Sequence, residues 1–349
     1  PKLPDNARKY AYENFWKKLP KPYTLHRDIN QFIETYINDM CLQCFSFNVY
    51  DHIDEIATTK EESERLWAMK KNTNDVRKKM ESTTDAKKKE RILEEYKSNN
   101  AEDIKWVEQL FHTPHAKQVV KNVLFLQELG TYMNCIDSLG TDDTMKCIWA
   151  SRVAHREFDS EHKALAPELM DTLKTLITIP DVYNDLMKKN EYYIALANRQ
   201  LDKLVMKTGD DVAGMTEGEE ILKKLLEPYK GKIVLIDVWG TWCGPCKAAL
   251  SHSQELYDRL AKYDIQYVYF ANRSPKDSWE NVIKEYNVTG PNVAHFNLPQ
   301  EQQSAIERYL KVNSFPTYKL VAPQGNVLDI KVSPYNLQAL EEVIKQLTN

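Results

Sequence analysis

The stretch that most constrains this chain is residues 232–247, Lys-Ile-Val-Leu-Ile-Asp-Val-Trp-Gly-Thr-Trp-Cys-Gly-Pro-Cys-Lys. Ile233, Val234, Leu235, Ile236 and Val238 form a short apolar run, the pattern of a strand covered on both faces of a sheet. Asp237 is its one charged residue. The run breaks at Gly240, and Cys243-Gly244-Pro245-Cys246 follows, leading into residues suited to a helix. A Cys-x-x-Cys placed between a strand and a helix N-terminus favours redox chemistry. The unpaired N–H groups and positive end of the helix stabilise a thiolate over a thiol. Pro245 falls in the first helical turn, where a missing N–H costs little.

Trp242-Cys243-Gly244-Pro245-Cys246-Lys247 resembles the active-site motif of thioredoxin residue for residue. The preceding Trp239-Gly240-Thr241 is more similar to the exported thioredoxin-like reductases of the bacterial envelope, the TlpA/ResA type. The resemblance covers about residues 219–349. It implies a redox-active Cys243/Cys246 pair and a buried Asp237 that takes the proton of Cys246. It also implies that Pro316, in Phe315-Pro316-Thr317, is a cis proline facing the disulfide. The backbone at Phe315 would then pair with an extended substrate, and Trp242, Gly244, Pro245, Phe315, Pro316 and Thr317 would form the substrate-binding surface. A trans proline that merely starts a strand, and a buried acid without a catalytic role, stand as the alternatives. Trp239 is expected to pack.

Three positions depart from the family pattern. Ser251 stands where the active-site helix often carries proline, and Ala249 where the ResA type carries glutamate. Tyr269 falls near the place of the lysine that can partner the buried aspartate. These changes put the proton-relay burden on Asp237.

Glycine usage divides the chain. Residues 1–208 hold only Gly130 and Gly140, and the other eight glycines lie in residues 209–349. With 349 residues there is room for two cores. We expect an all-α domain over 1–206, a linker over 207–218 and an α/β thioredoxin-like domain over 219–349, a mixed sheet flanked by helices. In the first part, Ile29, Ile33, Tyr36, Met40 and Cys44 recur at helical spacing, as do Leu169, Leu173 and Leu176. Residues 60–100, rich in Lys and Glu, read as an exposed helix pair with one docked face, and Asp181 after Pro180 reads as an N-cap. In the second part, a helix is expected from Cys246 to about Lys262, strands at Ile265–Phe270, Tyr318–Val321 and Val327–Val332, and a last helix at Asn336–Leu347.

Of the remaining cysteines, Cys41 and Cys44 continue an apolar helical stripe, which favours buried thiols over an auxiliary redox pair. Cys135 and Cys147 flank a turn, and a bridge between them would contribute about 3 kcal/mol. Phe45 and Lys247 stand where haem attachment needs histidine, and the histidines show no metal-ligand spacing, so no cofactor or metal is expected.

A net charge of −4 argues against a nucleic-acid partner or a polybasic membrane surface, and no stretch has the length of a transmembrane segment. The first residue, Pro1, fits either a removed export signal or a trimmed start. The expected function is reduction of protein disulfides, with an unidentified redox protein as electron donor, in the periplasm or cell envelope. A disulfide isomerase or oxidase, or a binding protein whose helical part does the main work, are the alternatives, and a cytoplasmic location also stands.

Overall fold

The structure is a computed structural model that describes residues 5–14, 35–41, 48–138, 143–201, 205–328, 333 and 336–348. It forms two compact units: residues 1–153 with 166–180, and residues 154–165 with 181–349.

The first unit is helical, with helices at Lys60–Glu81, Ala86–Asn99, Ala101–Phe111 and Pro114–Ser138 among others. Their ends follow from local chemistry. The Thr59 hydroxyl accepts from Glu62 N–H, and Asp85 accepts from Lys87 N–H at 3.0 Å, each satisfying first-turn donors. The Lys/Glu-rich pair is largely exposed, and Leu66 and Met69 are its buried points. Leu66 joins Ile53, Ile56, Leu110 and Ala116 in one cluster.

Cys41, Cys135 and Cys147 are buried thiols, so the possible Cys135–Cys147 bridge is not formed. Cys44 and Gly140 lie outside the described residues. Asp181 is not the N-cap. The helix starts at Pro180, whose fixed φ suits the first helical position, and Asp181 sits in the first turn.

The second unit carries a five-stranded sheet: β1 (Met206–Lys207), β2 (Ile233–Trp239), β3 (Ile265–Ala271), β4 (Val293–Phe296) and β5 (Thr317–Val321). Their order is β1-β4-β3-β2-β5, with β5 antiparallel to β2 and the other pairings parallel. Parallel pairing requires crossovers, and helices such as Lys276–Glu285 supply them. β2 and β3 are buried along their whole length, as their continuous apolar character demands. Their side chains alternate between two cores. Ile233, Leu235 and Trp239 enter one with Cys246 and Leu250, while Val234, Ile236 and Val238 enter the other with Phe270 and Ile306.

The sequence boundaries shift in three ways. β1 extends the sheet into residues expected to be helical or linking. Val212, inside the expected linker, is fully buried in the second core, and Gln302 donates to its carbonyl. Residues 154–165 and the helix Pro180–Asn198 group mainly with the sheet-bearing unit. The long helix expected after Cys246 is two helices, Gly244–Leu250 and Ser253–Leu260. The break needs no proline: Ser251 Oγ donates to Ala248 carbonyl at 2.7 Å and His252 N–H to Ala249 carbonyl at 3.0 Å, closing the first helix with tight turns. At the C-terminal end, Val327 bridges to Val321, and residues 329–332 lie outside the described set.

Candidate active site

Cys243 is the N-cap of the helix Gly244–Leu250 and Pro245 lies in its first turn. Cys243 and Cys246 are joined by a disulfide, with Cα atoms 5.3 Å apart. The Cys243 sulfur accepts from Cys246 N–H at 3.1 Å, so one of the helix's unpaired donors points at sulfur. Both cysteines are buried, Cys243 at 5% exposure and Cys246 at 1%.

The loop before them is held closely. Thr241 N–H donates to Ser274 Oγ at 3.1 Å, and Trp242 Nε1 donates to Asn272 carbonyl at 3.2 Å. A Cβ on Gly240 would lie 2.6 Å from Trp242 Nε1, so only glycine leaves room for the indole to fold back. Trp242 still exposes 51% of its surface, and its ring meets Phe315 edge-on at 5.2 Å between centroids. The Phe315–Pro316 peptide bond is cis. Thr317 follows as the first residue of β5, its hydroxyl donating to Ser314 carbonyl at 2.6 Å. Trp239, by contrast, is wholly buried.

Asp237 points to the same side of β2 as Leu235 and Trp239, the side on which Cys246 packs. Its ladder partners are Tyr269 on β3 and Tyr318 on β5, and directly paired residues share a face. The Tyr318 hydroxyl bonds to the carboxyl, while Oδ1 is buried without a hydrogen-bond partner. Burial pushes the Asp237 carboxyl up to about 7, and the bond from Tyr318 opposes this only in part. Tyr269 gives its hydroxyl to a 2.7 Å hydrogen bond with Tyr257. A cavity of about 390 Å³ reaches Asp237, lined also by Ser253, His252, Arg259 and Tyr318. The sequence singled out Tyr269 by its position. Tyr318 carried no signal of its own, although its register opposite Asp237 follows once β2 and β5 are paired.

Lys247 is half-buried. Its ammonium donates to Asp159 carbonyl at 2.8 Å and lies 3.0 Å from His162 Nε2. Sequence reasoning did not find His162, which lies 85 positions from Lys247.

This combination of mixed sheet, helix-capping disulfide and cis proline defines a thioredoxin-like domain, and the sequence model of the thioredoxin-like family matches residues 231–327. More narrowly, it is a thiol-disulfide oxidoreductase, similar over its C-terminal part to those of the ResA type. The chain is 24% identical over 160 residues to thiol-disulfide oxidoreductase ResA of Oceanobacillus iheyensis, covering 44% of this chain and 80% of that protein. It is 28% identical over 142 residues to the ResA of Geobacillus thermodenitrificans, covering 40% and 76%. Among solved structures, a thiol:disulfide interchange protein from Chlorobium tepidum is 18% identical, with 36% of this chain and 85% of that chain covered and a TM-score of 0.30. No helix among the described residues is long and apolar enough to cross a membrane.

Proposed function

We propose that this oxidoreductase reduces protein disulfides. What supports the reading most is the Cys243–Cys246 disulfide at a helix N-terminus, next to the exposed Trp242, whose ring meets the half-buried Phe315. Starting from the dithiol, the Cys243 thiolate attacks one sulfur of a substrate disulfide. A Cys243–substrate bond forms, the substrate S–S bond breaks, and the departing thiolate takes a proton from water. Cys246 then gives its proton to Asp237 and attacks Cys243 sulfur. The mixed disulfide breaks, the second substrate thiolate leaves and is protonated, and the 243–246 disulfide remains. The substrate gains two electrons and two protons per cycle, and a dithiol donor must return them to the protein.

A carboxyl held near 7 fits the relay, because it can accept a proton and release it at neutral pH. Trp242, Gly244, Pro245, Phe315, Pro316 and Thr317 form the docking surface in this reading. The cell-envelope location rests on the resemblance of Trp239-Gly240-Thr241 to exported members of the family. We take residues 1–206 as an extension whose partner, if it has one, is a protein.

Two measurements test this. Equilibration of the purified protein against glutathione and dithiothreitol, with thiol trapping, gives the potential of the pair. A value near or below about −250 mV is expected for a reductase, whereas about −120 to −180 mV would replace the reading with an oxidase or isomerase. The Cys246→Ser variant should accumulate a mixed disulfide through Cys243, and Cys243→Ser should accumulate none. Trapping through Cys246 instead would reverse the assigned roles.

A further inference from the structure

The lysine that follows the redox pair is held by a part of the chain far from it in sequence. Lys247 stands four residues after Cys243, so the two lie on one face of the active-site helix, one turn apart. Its ammonium reaches the C-terminal end of the helix Asp143–Glu161 and fills the acceptor of the Asp159 carbonyl at 2.8 Å. That carbonyl is among the helix's last four, which have no partner within the helix and carry its negative end.

The second holder is His162, 3% exposed, with φ at +51°. In this conformation, uncommon outside glycine, it ends the helix, its N–H returning to Phe158 carbonyl at 2.8 Å. Asn281 Nδ2 donates to the His162 carbonyl at 2.8 Å. An ammonium only donates, so Nε2 is the acceptor and Nδ1 carries the proton. Nδ1 then donates to Glu285 Oε2, 2.7 Å away. The result is a continuous chain, Glu285 to His162 to Lys247, the residue that follows Cys243 by one helical turn. The Asp159 carboxylate is taken up by Lys189 at 2.7 Å, and the ring of Tyr193 covers the histidine edge-on. All these groups belong to the sheet-bearing unit.

We propose that this clasp makes residues 154–165 a positioning element of the redox centre: by fixing the ammonium of Lys247, whose backbone stands one helical turn after Cys243, it favours the Cys243 thiolate and so the reduced dithiol over the disulfide. The proposal rests on Cys243 being the attacking cysteine. A free lysine at this place would spend most of its time in solvent, where its charge is screened. A lysine anchored at two points keeps its charge at one fixed place on the active-site helix. His162 and Glu285 touch no reacting atom and act through Lys247.

The test is a double-mutant cycle on the full chain, read by the pH dependence of Cys243 alkylation and by the glutathione equilibrium. Lys247→Met should move the thiolate titration up by about half a pH unit, a threefold change in the thiolate-to-thiol ratio. At a pH above the titration midpoint, the glutathione equilibrium should move about threefold toward the disulfide, roughly 15 mV. His162→Asn, which tolerates the same backbone conformation, should produce the same shift, and Glu285→Gln a smaller one of the same sign. In the Lys247→Met background, neither should add anything. Shifts that simply add, or a His162→Asn titration equal to the unaltered protein's, would overturn the clasp. If His162→Asn fails to fold, the Glu285→Gln and Lys247→Met pair decides by the same criterion. Absence of any reversible couple in the unaltered protein would instead overturn the role of Cys243, and the clasp with it.

Discussion

Replacing Asp237 by asparagine should change how stability depends on pH, and the sign follows from the site. The side chain is 4% exposed, Oδ1 has no partner, and the folded carboxyl titrates at about 7 against an ordinary 3.8. Between these values the folded protein holds a proton that the unfolded chain releases. The stabilisation is therefore fully present below about 3.8 and is lost as pH rises through about 7. The whole span of roughly three pH units corresponds to about 4 kcal/mol, of which about 3 kcal/mol falls between pH 5 and pH 8. The substituted amide does not titrate and has nearly the same shape. The variant should therefore be relatively more stable at pH 8 than at pH 5, by about 3 kcal/mol compared with the parent. Because the chain has two units, one global transition would mix them. Hydrogen exchange of the β2 and β3 amides in the oxidised protein, corrected for intrinsic rates, isolates the sheet-bearing unit. Parallel pH profiles for parent and variant would refute the reasoning, since they would mean that the buried carboxylate ionises at no cost.

His295 should act with the opposite slope. Burial pushes its imidazole down to about 4, and Nε2 is engaged with Val288 carbonyl at 2.7 Å, so about 3 kcal/mol present at neutral pH should be lost as pH falls from about 6.5 to 4. Exchange of the β4 amides in His295→Gln, which keeps the donor, should lose that acid sensitivity. Gly218→Ala should destabilise the same unit by about 2 kcal/mol in denaturant unfolding, because the added methyl would run into the backbone carbonyl of Ala305. Trp242→Ala should lower kcat/KM for a protein disulfide about tenfold while leaving the denaturant midpoint almost unchanged, since half of the side chain faces solvent. Equal kcat/KM in that variant would remove Trp242 from the docking surface.

What could be read from the residues depended on how locally each feature is encoded. The order β2, helix, β3, then β5 was legible because each element has its own apolar run and its own breaker, and the Cys-x-x-Cys lies between a strand and a helix. β1 was not, since two residues, Met206 and Lys207, are too few to show alternation. The break at Ser251 was hidden because Leu250, Leu256 and Leu260 are buried in the same core across it, so the apolar spacing reads as one helix. The state of Cys135 and Cys147 could not be read, because closeness in sequence across a turn says nothing about whether two side chains face each other.

The clasp on Lys247 marks the harder limit. Lys247 belongs to the motif itself, and its sequence neighbours explain why it follows Cys246, but not where its charge goes. That is decided by the end of a helix 85 positions earlier, where Asp159 offers a carbonyl and His162 turns into the left-handed region. Neither group has a pattern that marks it as part of a redox site: a backbone acceptor has no sequence identity, and a lone histidine is common in any chain. If the double-mutant cycle shows coupling, the length of chain needed for the redox centre begins near residue 154. A domain cut at 219 would then keep both sulfurs and the cis proline while losing the groups that hold Lys247 in place.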